Sequence, residues 1–237
     1  MRFERIWHKS YPAGVPAEID FDPITMPAVL TRTAGRFPDR DALIFMGTRI
    51  TYRELEGLVN RFARALTALG VKRGDKVAMI LPNVPQIVIA EYAVFRIGGV
   101  NVMNNPLYTE KELTYQLNDS DSTVLVILDM FFPVAKKLQE NTGAKQVILC
   151  SLADYLPEPL KPMFPPAEVP AQEGVHHFLD LVGAYPEDPV ENVPALEDLG
   201  ALIYTGGDDG PQQGGHAEPR QHLLQHPAVP GLVSRIQ

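Results

Sequence analysis

The sequence predicts an α/β fold, a mainly parallel sheet with helices on both faces, and three observations lead there. From residue 41 onward, short β-rich runs alternate with helical runs, the order that specifies parallel strands joined by crossover helices. The run Val124-Leu125-Val126-Ile127-Leu128 lacks polar alternation, as a strand covered on both faces requires. With 45% apolar side chains, the 237-residue chain can bury a sizeable core.

Taken in order, Ala42 to Met46 and Arg49 to Thr51 flank Gly47 and read as a hairpin. Thr51 then opens a helix, with Glu54 three residues on completing a capping box that satisfies two orphan N–H groups. Leu55, Val59, Phe62, Leu66 and Leu69 recur along it at three- and four-residue steps, and Gly70 closes it. Residues 76–81 read as a strand, 84–97 as a helix and 99–103 as a strand. Thr109 caps the next helix with Glu112 as its partner; a strand follows over 123–128, a helix over 131–139 and a strand over 146–150. Pro157, Pro159, Pro162, Pro165, Pro166 and Pro170 remove backbone donors between Leu156 and Val175, so that stretch is expected to be an irregular surface excursion within one domain. Residues 199–205 form the last expected strand. There is no internal repeat.

Composition narrows the function classes. Lys and Arg number 21 against 29 Asp and Glu, a formal charge of -8, which disfavours nucleic-acid binding because that depends on cations neutralising phosphates. Cys150 is the single cysteine, so there is no disulfide framework and a cytoplasmic location is expected. The N-terminus has no continuous apolar stretch of the signal-peptide kind. The most apolar window, 77–95, is broken by Pro82, Asn83, Pro85, Gln86 and Glu91 and reads as strand, turn and helix rather than a bilayer span. Peripheral membrane contact is left open.

The stretch with most to say about chemistry is Tyr204-Thr205-Gly206-Gly207-Asp208-Asp209-Gly210, directly after the last strand. A Gly-rich loop there can present several N–H groups to an anion, and glycines let the backbone approach a phosphate closely. No Gly-Lys-Ser/Thr follows, so it is not a Walker A loop. On composition alone it also reads as a flexible exit from a strand.

Further stretches decide between these readings. Tyr52-Arg53-Glu54-Leu55, Gly74-Asp75-Lys76-Val77-Ala78, Leu81-Pro82-Asn83, Gly98-Gly99-Val100 and Asn105-Pro106-Leu107-Tyr108-Thr109-Glu110 occur in the order found in acyl-adenylate-forming (AMP-binding) enzymes. Ser10-Tyr11-Pro12, Gly14-Val15-Pro16 and Ile19-Asp20 resemble the leader of long-chain fatty-acid–CoA ligases. The resemblance runs from Trp7 to Gly207. It implies the N-terminal part of the large domain of an adenylate-forming enzyme, truncated here. The activity it implies is ATP-dependent joining of a fatty acid to coenzyme A through an acyl-adenylate, with ATP, CoA and Mg2+ used by the full-length family. Thr205, Gly206, Gly207, Asp208, Asp209 and Gly210 then correspond to the loop that wraps the ATP phosphates.

That loop departs from the family pattern. Asp208 and Asp209 stand where the family has two threonines, and Gln213 where it has lysine. At about 5 Å and an effective dielectric near 20, each carboxylate repels a unit phosphate charge by about 3 kcal/mol. Poor ATP binding is expected. Beyond Gly207 the composition also changes: residues 208–237 hold three of the six histidines, five glutamines and four prolines without an apolar period. Reading the codons from Asp208 onward from their second base allows Thr-Thr-Gly-Pro-Ser-Lys-Gly, the family pattern. A one-base frameshift near codon 207 therefore accounts for the junction and the tail together.

The expected organisation is a leader over 1–40, an incomplete adenylate-forming domain over 41–207 and an aberrant tail over 208–237. The family's aromatic–Gly–x–Thr–Glu stretch, ribose-binding Asp and C-terminal catalytic Lys are not found, so no catalytic residue is assigned and the chain itself is expected to be inactive. The alternatives are a non-catalytic remnant that binds partners or self-associates through an open sheet edge, and a fragment of another adenylating ligase, such as an aryl–CoA ligase or a peptide-synthetase domain. No metal site is assigned: His176 and His177, if helical, point about 100° apart. Cys150 reads as buried core, Tyr92 and Phe95 as packing, Glu110 to Glu112 as a solvated first turn, and Trp7 as an anchor of the leader.

Overall fold

Apolar runs in the middle of the chain become the strands of one six-stranded sheet, and the amphipathic runs between them become its two helical layers. A computed structural model describes residues 5–16, 18, 22–190 and 194–204. The helices are α1 (Met26–Arg36), α2 (Tyr52–Ala68), α3 (Pro85–Arg96), α4 (Glu110–Asp119), α5 (Phe132–Asn141) and α6 (Phe178–Ala184). The strands are β1 (Asp41–Phe45), β2 (Thr48–Thr51), β3 (Lys76–Ile80), β4 (Val100–Met103), β5 (Ser122–Leu128), β6 (Gln146–Cys150), β7 (Val175–His177) and β8 (Ala201–Ile203). β1 and β2 form the expected antiparallel hairpin, and the large sheet runs β7-β6-β5-β3-β4-β8 with every pair parallel.

Alternation along the strands splits the core in two. Val124, Val126 and Leu128 of β5 face one layer with Leu30, Phe62, Leu66, Ile89, Ala93 and Phe178, while Leu125 and Ile127 face the other with Leu113, Leu117 and Leu138. Helices α1, α2, α3 and α6 form the first layer and α4 and α5 the second. This is the arrangement expected of strands buried on both faces.

The local signals read from the sequence operate as expected. Thr51 and Thr109 each head a complete capping box, with Glu54 and Glu112. Gly70, at φ +91°, follows α2 in the left-handed region that glycine tolerates best. The Pro-rich excursion carries only two 3-10 turns, Leu152–Tyr155 at its entry and Lys161–Met163 within it.

Among the described residues, helix α1, strand β7, helix α6 and the 3-10 turns Ile6–Ser10 and Asp129–Phe131 lie beyond the sequence reading, as do the two turns just named. One expectation is corrected by them. His176 and His177 sit on β7 rather than on a helix, so they alternate across the strand; His176 Nε2 lies 2.8 Å from Gln146 Oε1 on the neighbouring strand. Gly174 precedes β7, and its carbonyl accepts from Val147 N at 2.7 Å, which starts that strand's pairing.

Candidate functional site

Ligands of doubly wound sheets collect at the carboxyl ends of the strands, so the last described residues of β8 are the approach to the candidate site. β8 aligns with β4 through Asn101↔Ala201, Val102↔Leu202 and Met103↔Ile203. Arg73 fixes the segment before it, with Nε and Nη2 at 3.1 and 2.5 Å from Asp198 Oδ1. Burial raises the Asp198 pKa, but the hydrogen bonds from Arg73 and from Ala195 N–H, with the Arg73 charge, outweigh it and hold the carboxyl below its usual range. Gly200 is required by close approach: a Cβ there would lie 2.9 Å from Phe95 Cε1. Tyr92 and Phe95 themselves stack edge-on at 6.5 Å, as packing residues.

Tyr204, directly after β8, is tied to α4. Its hydroxyl donates to Asp119 Oδ2 at 2.7 Å and lies 3.2 Å from the Gln116 carbonyl. Burial, then the Asp119 hydrogen bond and charge, push the phenol well above its usual range, so it stays a neutral donor. This anchor sets where the chain leaves the sheet. The residues assigned to the phosphate loop, Thr205, Gly206, Gly207, Asp208, Asp209 and Gly210, lie outside the described residues, as does Gln213.

The resembling stretches over 52–55, 74–78, 81–83, 98–100 and 105–110 are scaffold, while Ile19 and Asp20 of the leader lie outside the described residues. Asn105 Oδ1 accepts from Leu107 N at 2.9 Å and its carbonyl from Tyr108 N at 3.0 Å, a turn that delivers Thr109 to its cap position. Gly74 N donates to the Gly98 carbonyl at 2.8 Å, and Asp75 Oδ2 accepts from Lys72 N at 2.7 Å, which launches β3. The apolar window 77–95 divides into β3, a turn and α3, and among the described residues no helix is long and apolar enough to cross a membrane. Cys150 is buried core, and burial, with the charges of Asp154 and Asp129, pushes its thiol up, which leaves it a poor nucleophile.

Two polar clusters escaped the sequence reading. Arg96, its side chain 7% exposed, makes a two-pronged pair with Glu56 at 2.9 Å on each nitrogen and also bonds Asn60 and Thr31, joining α3 to α2 and α1. The available signal was an arginine at a buried helical phase, facing Glu56 and Asn60 at a four-residue spacing. The second cluster, Gln86, Asp129, Ser151, Asp154 and Tyr155, gathers at the ends of β3, β5 and β6. Its only local signal was the three-residue spacing of Ser151 and Asp154, which form a capping box; the other members are distant in sequence.

Comparison with known proteins agrees with this architecture. Residues 30–214 match the family described as AMP-binding enzyme. The long-chain-fatty-acid–CoA ligase of Bacillus subtilis (strain 168) is 34% identical over 226 residues, covering 90% of this chain and 40% of its own length. The corresponding ligase of Salmonella typhimurium is 33% identical over 233 residues, covering 93% of this chain and 41% of its own. Among solved structures, a long-chain-fatty-acid-CoA ligase from Archaeoglobus fulgidus superposes with a TM-score of 0.66 at 23% identity over 84% of this chain and 38% of its own. An anthranilate CoA ligase in complex with anthranoyl-AMP gives 0.67 at 22% over 79% and 33%; both show a shared fold. The chain thus spans about 40% of the length of the curated relatives it matches.

Proposed function

The chain belongs to the AMP-binding enzyme family, and on that premise we propose that it descends from a long-chain fatty-acid–CoA ligase and does not itself activate fatty acids. The lineage is supported by relatives of that name at 32–41% identity, against 27% for a crotonobetaine/carnitine–CoA ligase. One observation carries the loss of activity: the nucleotide-loop positions hold Asp208, Asp209 and Gln213, two anions and no cation, directly after a strand and anchor laid down as the fold requires. This donor set does not suit ATP with its magnesium, and no catalytic step is routed through it. A one-base frameshift near codon 207 explains how an intact scaffold meets an unsuitable loop. A cytoplasmic location is consistent with one cysteine, held buried and reduced.

Pyrophosphate exchange by the purified chain with ATP, magnesium and a long-chain fatty acid tests the reading: no exchange above the protein-free control is expected, and fatty-acid-dependent exchange would overturn it. The nucleotide sequence across codons 200 to 215 tests its cause. An open neighbouring frame encoding Thr-Thr-Gly and then Lys supports the frameshift; a stop codon in that frame removes it.

The partner-binding alternative rests on β8, which among the described residues pairs only with β4 and leaves Ile203 exposed. Size-exclusion chromatography separates the two: concentration-dependent association favours this second reading.

A further inference from the structure

Residues 195–204, which carry β8, are fastened near their two ends and only lightly between. Near the first end, Asp198 Oδ2 accepts from Ala195 N at 2.8 Å and Asp198 N donates to the Ala195 carbonyl at 3.2 Å, so 195–198 closes on itself as a turn. The other oxygen, Oδ1, takes Nε and Nη2 of Arg73. The stem of Arg73 lies against Gly98, where a Cβ would meet its Cγ at 2.9 Å, and the Gly98 carbonyl in turn accepts from Gly74 N. This latch therefore stands on the tight turn that launches β3. At the far end the second latch is the Tyr204 hydroxyl on Asp119 and the Gln116 carbonyl of α4.

Little holds the stretch between the latches. β8 is three residues long with none of them buried, and among the described residues it pairs only with β4. Leu202 is partly buried against the α4/α5 layer, and Ile203 is 41% exposed. By contrast β3, with a neighbour on each side, is buried from Val77 to Ile80. Segments with few buried apolar contacts open at a lower free energy than the core. Here the two polar latches sit at opposite ends of such a segment, so releasing one leaves the other to hold a strand that has little packing of its own.

We propose that residues 195–204 form a double-latched strap that opens as one unit, releasing both latches together while the rest of the sheet stays folded. Opening uncovers the edge of β4 and frees Tyr204, which directly precedes Thr205, the first position assigned to the phosphate loop. Arg73 and Asp119, both outside that loop, thus set how firmly its first position is tied to the sheet. The strap does not depend on whether the loop binds a nucleotide.

Two neighbouring amides of β4 report on opposite sides of the strand. Asn101 N donates to the Gly200 carbonyl of the strap at 2.9 Å, and Val100 N donates to the Asp75 carbonyl, on the β3 side, at 2.8 Å. Hydrogen exchange of the whole chain, read at these amides by NMR in increasing urea, is the test. Asn101 should exchange at least about tenfold faster than Val100 and with a shallower dependence on urea, because opening the strap exposes little surface. Tyr204→Phe should speed Asn101 exchange about tenfold, although the lost hydroxyl is four positions from Gly200. Arg73→Ala, which removes a more exposed contact, should speed it about threefold, and the two factors should multiply in the double variant. Equal rates and urea slopes for Asn101 and Val100 overturn the proposal, because the strap then opens only with the whole fold. An Asn101 rate unchanged by Tyr204→Phe also overturns it, because the two ends then fray separately.

Discussion

The two faces of the sheet are built on different terms. On the α4/α5 face the core is aliphatic, and its notable buried polar pair is local: Ser120 Oγ and Ser122 Oγ, 2.7 Å apart, with Ser120 also bonded to the Gln116 carbonyl. On the α1/α2/α3/α6 face the core is larger, includes the ring pair Phe62–Phe178 at 4.7 Å, and is crossed by the Arg96–Glu56–Asn60–Thr31 network linking three helices. A face whose helices follow one another closely in sequence can rely on local caps and spacing. A face that gathers α1, α6 and the central helices needs long-range polar and aromatic contacts to specify which helix lies where.

The strongest challenge to that contrast is deletion of its long-range contacts. Phe62→Ala should cost about 3–5 kcal/mol in urea unfolding, because the ring packs on Phe178 across more than a hundred residues of chain and the site cannot readily collapse. Arg96→Ala should cost about 3–5 kcal/mol, since it leaves Glu56 charged and largely buried without its partner. Replacing both, as Arg96→Met with Glu56→Leu, should recover most of that loss. A double variant as unstable as the single would show that the network's worth lies in its hydrogen bonds rather than in charge balance.

On the other face, Ser122→Ala should cost only about 1 kcal/mol, the loss of one hydrogen bond, because Ser120 Oγ keeps its bond to the Gln116 carbonyl. The caps provide a control: Thr51→Ala and Thr109→Ala each remove one capping box, one on either face, and each should cost about 1 kcal/mol by thermal unfolding. Markedly unequal costs would mean that the caps, too, are coupled to their layers.

The smallest effect concerns Glu91 on α3. Burial raises its carboxyl above the usual value, so the fold favours the protonated form. Its contribution is therefore most favourable at low pH and is lost as pH rises from the unfolded value of 4.5 through the raised folded one. Glu91→Gln should raise the melting temperature at pH 7 and lose that advantage near pH 4. An advantage that persists unchanged at acid pH would remove ionisation as its cause.

Legibility followed the same division. Helices α2 and α4 were readable from Thr51/Glu54 and Thr109/Glu112 because a capping box is a contact between residues three apart. Helix α1 was not, because Thr25 makes no side-chain cap and its apolar residues Val29, Leu30 and Ala34 are interspersed with Thr31, Arg32 and Thr33. Strand β7 and helix α6 are three and seven residues long, too short to show a period. In the candidate site, the exit strand was readable, whereas the close approach of Gly200 to Phe95 was not. Nor was the Tyr204–Asp119 anchor, spanning 85 positions.

What the amino-acid order determined by itself was the α/β class, the caps, most of the strands and the pair of acidic residues, Asp208 and Asp209, shortly after the last of them. Each depends on neighbours within a few positions, or on side-chain charge alone. Only the tertiary structure decided the strand order, the assignment of helices to faces, the alternation of His176 and His177 across a strand, and the meeting of Gln86, Asp129 and Asp154 at one edge. Those depend on which distant segments share a boundary, a choice made by burying apolar surface while satisfying polar groups that no short window contains.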